Sequence, residues 1–148
     1  MIAGLAFASP FAYGQYTIWD ADDPWDDDSI LNALFLSVTP KVSIGDVRNS
    51  LDFNLGVPIA DVRSKEEYDQ EHIPGSVLIP GPRILTDFPK AFPEKNIKIY
   101  IYASNNQSAG VAVRLLRNMG YSAYYIINGL SAWQRAGFQT EKTHSLYF

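Results

Sequence analysis

The stretch Ile59-Ala-Asp-Val-Arg-Ser-Lys-Glu-Glu-Tyr-Asp-Gln-Glu-His-Ile-Pro-Gly-Ser-Val-Leu-Ile-Pro80 decides the fold. Its head, Pro58–Val62, is a short apolar run that predicts a strand. Ser64-Lys65-Glu66-Glu67 has the spacing of a capping box, in which the serine hydroxyl and the glutamate carboxylate each satisfy an N–H at the start of a short helix. His72-Ile73-Pro74-Gly75 then turns the chain, and Val77–Ile79 predicts a second strand.

The same alternation continues outward. Upstream, Val42 is predicted in a short entry strand, and Ile44–Leu51 in a helical turn or two with Ile44, Val47 and Leu51 on one side. Downstream, Lys98–Tyr102 is apolar and β-branched enough for a buried central strand. The helix after it runs to about Met119, with Ala112, Leu115, Leu116 and Met119 on one face and Gly120 at the stop. Ala123–Ile127 predicts a last strand, and Leu130–Ala136 a last helix closed by Gly137. Strands separated by helices of this length predict an α/β domain with a mainly parallel sheet covered by helices on both faces.

Taken together, these residues resemble the rhodanese-like domain. The stretch quoted above is similar to its signature "hDVR…EY…GHIPGA…IP", departing from it at Glu71, where glycine is usual. Ile99-Tyr-Ile-Tyr102, a six-residue loop, an amphipathic helix, Gly120-Tyr121 and Asn128-Gly129-Leu-Ser-Ala-Trp133 resemble the rest of the domain in order and spacing, so that the resemblance covers Val42–Phe138. It implies a five-stranded sheet and an active loop after the fourth strand. It also implies structural roles for Asp61 and Arg63, which would pin the end of the second strand, and for His72, which would bond to backbone; a direct ligand role is the other reading of Asp61 and Arg63. Tyr68 and Trp133 read as core or core-edge aromatics, and Pro74, Gly75 and Gly129 as turn residues of the signature.

In working members the resemblance implies a loop Cys-x-x-Gly-x-Arg, whose backbone N–H groups and helix N-terminus form an anion cradle that lowers the thiol pKa. Counting back from Gly120 aligns it with Ala103-Ser104-Asn105-Asn106-Gln107-Ser108. Ala103 stands where the cysteine would be, Asn106 where the glycine would be and Ser108 where the arginine would be. No other cysteine can substitute, because the chain has none, which also excludes disulfides and thiolate metal sites. The expectation is therefore an inactive homologue. Ser104 as a replacement nucleophile would need an adjacent base, and the sequence pairs it with none. The vestigial loop, lined by neutral amides and hydroxyls, is expected to bind an anion or a polar neutral group weakly. Tyr100, Tyr102, Tyr121, Tyr124 and Tyr125 are dense; they read as strand-end packing or, on the other reading, as an aromatic partner surface.

Charge divides the chain. Its first 40 residues hold six Asp and no Lys or Arg, while the rest holds all 12 basic residues. No basic cluster interleaves with aromatics, so nucleic acid is not an expected partner. Residues 1–40 are expected to be an extension, 41–140 the domain and 141–148 a tail holding a solvated His144. The start, Met1–Ser9, resembles the back half of a secretory signal with Ala6-Phe7-Ala8 or Ala12-Tyr13-Gly14 as cleavage site; the other reading is an apolar segment packed on the domain. Cytoplasmic and exported or periplasmic locations both follow, and the run is too short to span a bilayer. In Tyr16–Ser29, Trp19 and Trp25 stand among the aspartates. An EF-hand loop counted from Asp20 would need glycine and glutamate where Trp25 and Leu31 stand, so a solvated loop is expected there instead of a cation site. Ser29 is expected to cap a short helix through Ile30, Leu34 and Phe35, before Pro40.

No cofactor and no metal is expected. The expected function is a non-catalytic binding or regulatory module with a protein partner or a polar small molecule. The alternatives are an enzyme of different chemistry in the same cleft and an assembly protein with a vestigial cleft.

Overall fold

A computed structural model describes residues 28–143. The apolar start, most of the Asp/Trp-rich segment and His144 lie outside the described residues. The chain divides into two units, residues 1–37 and 38–148. Helix α1 spans Asp28–Val38, all but its last residue in the first unit, so Ser29 falls inside its first turn and not before it.

The second unit holds the sheet. In chain order it contains β1 (Lys41–Val42), α2 (Ile44–Asp52), β2 (Ile59–Asp61), α3 (Lys65–Gln70), β3 (Val77–Leu78), a 3-10 turn at Gly81–Arg83, α4 (Ile84–Ala91), β4 (Lys98–Tyr102), α5 (Asn106–Asn118), β5 (Ser122–Ile126) and α6 (Gly129–Arg135). The strands lie in the order β1-β5-β4-β2-β3, every pairing parallel. β4 is central, with Ala60 opposite Ile101 on one side and Tyr100 opposite Tyr124 on the other.

Two helix starts carry reciprocal caps. Ser64 Oγ accepts from Glu67 N while Glu67 Oε2 accepts from Ser64 N, and Ser43 and Asp46 repeat the arrangement at α2. On α2 the buried residues are Val47 and Ser50; Leu51, expected on the packed side, is 39% exposed, because the helix turns its Val47–Ser50 edge inward. On α5 the buried stripe is Ala109, Gly110, Ala112, Val113 and Leu116, with Leu115 and Met119 at its margin. One core cluster gathers Val47, Ile59, Ile73, Tyr100, Tyr102, Ile126 and Trp133. The tyrosines belong largely to this interior: Tyr100, Tyr102, Tyr121 and Tyr125 are buried and Tyr124 is partly exposed, so they form no aromatic surface.

Residues past 140 take part in the fold. His72 and Glu141 form an antiparallel bridge through two backbone hydrogen bonds of 2.8 and 2.9 Å, and Thr143 N donates to Asp69 O. The extended backbone of 141–143 pairs with the end of α3 and the turn after it.

Candidate functional site

Parallel strands direct their C-terminal ends to one edge of the sheet, and the connections leaving β2, β4 and β5 meet there. From β4 the chain passes through Ala103 and Ser104 to Asn105, the cap of α5, whose Oδ1 accepts from Ser108 N at 2.8 Å. The helix thus begins at Asn106, inside the stretch 103–108 that is expected as a six-residue loop. An asparagine side chain supplies the first acceptor, and Asn106, Gln107 and Ser108 form the first helical turn. This cap also uses one of the N–H donors that would otherwise face a ligand.

Asn106 ties this turn to the end of β5. Its Oδ1 accepts from Asn128 N at 2.8 Å and its Nδ2 donates to Asn128 Oδ1 at 2.9 Å. Asn128 sits at φ 59 and Gly129 at φ 40, both left-handed. A Cβ on Gly129 would lie 3.1 Å from the Tyr102 Cβ, so glycine is required there both for its backbone angle and for its closeness to β4.

Two adjoining hollows open at this edge. One, of about 290 Å³, is lined by Ala103, Ser104, Asn105 and Asn106 on one side and by Asn128, Gly129, Ser131 and Arg135 on the other. The second, of about 220 Å³, shares Ala103, Ser104, Asn128 and Ser131 and adds Arg63, Glu67 and Gln134. Gln107 and Ser108 are exposed and line neither. The cleft is open, and it is not lined by neutral groups alone. Glu67 and Arg135 enter it from α3 and α6.

Glu67 receives Ser104 Oγ at 3.1 and 3.3 Å on its two oxygens. The Ser64 backbone N–H, followed by the hydroxyls of Ser104 and Ser64, holds its carboxyl below the ordinary glutamate range against a smaller opposing effect of burial. Ser104 therefore has a carboxylate beside it, which the sequence did not reveal, but a carboxylate stabilised as its anion is a poor proton acceptor. Arg135 is exposed; its Nε donates to Ser131 O at 3.4 Å and no carboxylate among the described residues pairs with it.

The signature residues form the wall behind the cleft. Asp61 is wholly buried and takes Arg63 Nη2 at 2.7 Å, Arg63 Nε at 3.0 and 3.1 Å and Arg63 N at 2.9 Å. Arg63 Nη2 also donates to Glu71 O, so this guanidinium staples β2 to the end of α3. Burial works against the Arg63 charge, but the bonds and charge of Asp61 outweigh it and raise its pKa. His72 is buried; its Nδ1 lies 2.7 Å from Tyr68 O, which fixes the proton on that nitrogen, and its Nε2 faces Glu141 at 3.5 Å. Tyr68 stacks on the imidazole at 3.7 Å and donates its hydroxyl to Ser76 O. Pro74 and Gly75 form the turn between, with Gly75 at φ 78. Tyr102 reaches the same turn, its hydroxyl accepting from Ile73 N and bonding Ser76 Oγ, both at 3.1 Å. Trp133 is buried with its Nε1 on Gln139 O. Among the described residues no three carboxylate or imidazole side chains converge as metal ligands, and no helix is long and apolar enough to cross a membrane.

Residues 43–136 match the rhodanese-like domain family. The thiosulfate sulfurtransferase PspE of Escherichia coli (strain K12) is 34% identical over 70 residues, 47% of this chain and 67% of that one. The putative sulfur carrier protein YrkF of Bacillus subtilis (strain 168) is 30% identical over 100 residues, and this chain spans about half, 52%, of it. Among solved structures, the Alr3790 protein from Anabaena sp. superposes with a TM-score of 0.63 at 29% identity, over 68% of this chain and 80% of that one. A thiosulfate sulfurtransferase from Pseudomonas aeruginosa superposes at 0.68 over 77% of this chain and 23% of its own, with 23% identity, a likeness of fold.

Proposed function

Because this chain belongs to the rhodanese-like domain family, we propose that it is a non-catalytic member of it, a recognition module whose sulfur chemistry is lost and whose cleft is kept. One observation carries the reading: the chain has no cysteine, and the strand that leads into the loop is followed by Ala103. A persulfide needs a thiolate to form on, and no other side chain here can take its place. The open cleft supports binding over a vestige, since a disused site would be filled by its own side chains. Its lining of amides, hydroxyls and charged groups of both signs suits a polar small molecule or a polar segment of a protein partner.

The reading is tested by assaying the purified chain for cyanide-dependent thiocyanate formation from thiosulfate, beside a cysteine-bearing relative. Thiocyanate should not exceed that of the heat-denatured chain. A clear excess, proportional to protein, would contradict the proposal.

A further inference from the structure

We propose that the cleft takes a small dipolar ligand, of the size of an amino acid or a dipeptide, with its cationic group at Glu67 and its carboxylate at Arg135. The inference rests on the reading of the cleft as a binding site and names the ligand class.

Three features support it. First, the two hollows adjoin, sharing Ala103, Ser104, Asn128 and Ser131, and each, at about 290 and 220 Å³, lies below the range of about 300 to 1,000 Å³ common for ligand sites, which suits a small ligand. Second, their charges are segregated. Arg135 lines only the larger hollow, beside the α5 start, where the helix dipole also favours an anion. Glu67 lines only the smaller one. Arg63 is there too, but it is committed to Asp61 and Glu71 O, so the unbalanced charge at that end is Glu67.

Third, both charges have capacity left. The Glu67 carboxylate accepts the Ser64 N–H, the Ser64 hydroxyl and the Ser104 hydroxyl, which leaves room on Oε1 for one further donor. The Arg135 guanidinium gives only its Nε, to Ser131 O at 3.4 Å. Between them the shared lining is amide and hydroxyl, which bonds a peptide group as readily as water. A bare anion would engage only Arg135 and a bare cation only Glu67, whereas a dipolar ligand engages both.

The test is a nuclear magnetic resonance titration of the full chain with alanyl-alanine, N-acetyl-alanyl-alanine and alanyl-alanine amide, and with thiosulfate. Free alanyl-alanine should bind, and each capped form should bind about tenfold more weakly, the loss expected of one charged hydrogen bond. Arg135→Gln should abolish the distinction between the free and amidated peptides alone. Glu67→Gln, which keeps the helix cap because glutamine also serves at that position, should abolish the distinction between free and acetylated peptides alone. Equal binding of all three peptides, discrimination that survives both substitutions, or tighter binding of thiosulfate would each overturn the inference. Thiocyanate formation bears on the non-catalytic reading and not on these peptide ratios, so the two can fail separately.

Discussion

Asn106 and Asn128 hold each other through two hydrogen bonds, of 2.8 and 2.9 Å, across 22 residues of sequence, which tie the first turn of α5 to the β5–α6 turn. Asn106→Ala removes both bonds from a half-buried position and leaves the amide of the exposed Asn128 to water. The cost should be about 1 kcal/mol, with the surrounding backbone loosened. Urea unfolding measures the first, and amide hydrogen exchange at Asn128 and Gly129 the second. No loss of protection there would show that the pair does not fasten the loop.

Tyr102 is fully buried with its phenol on the Ile73–Ser76 turn, and burial, followed by the Asp61 charge, pushes its pKa far up, so it stays a neutral donor and acceptor. Tyr102→Phe keeps the ring and orphans the Ile73 N–H inside the fold. A loss of about 1–3 kcal/mol is expected in denaturant titration. A neutral result would mean that the N–H finds water.

Leu116 is wholly buried on the inner stripe of α5. Leu116→Ala should cost about 2–5 kcal/mol by equilibrium unfolding. A change below about 0.5 kcal/mol, the size usual at surface sites, would place the wrong side of the helix against the sheet.

Much of this fold was legible before the structure. Lys98–Tyr102 is bounded as its β-branched run indicates, and Ser64–Glu67 forms the cap its spacing calls for. The segment 81–97 carries Pro82, Pro89 and Pro93, which obscure any helical period, yet α4 forms with Pro89 inside it and buries Ile84 and Phe88. Helix α5 starts earlier than a six-residue loop implies, because the Asn105 side chain caps it. Within the site, the loop itself could be counted from the sequence. Glu67 and Arg135 could not, since Ser104 meets Glu67 across 37 residues and Arg135 comes from a third helix. A local motif carries no signal of such meetings.

Acid should weaken the fold in part through Glu67. Its carboxyl lies below its ordinary 4.5, chiefly through the Ser64 N–H, so the folded chain holds the anion more firmly than the unfolded chain does. The stability it contributes is present above the unfolded value and lost as the pH falls through the lower, folded one. Asp46, held down by Ser43, acts in the same sense. Glu67→Gln should therefore lose less stability than the native chain between about pH 7 and about pH 3, compared by urea unfolding. An unchanged difference would remove Glu67 from the acid response.

Loss of sulfane-sulfur carriage is read most directly in the mass of the intact protein after incubation with thiosulfate or with a persulfide donor and removal of the excess. The mass should be unchanged from that of the untreated chain, with a cysteine-bearing relative gaining one sulfur atom in the same vessel. A gain of one sulfur on this chain, reversed by cyanide, would contradict it.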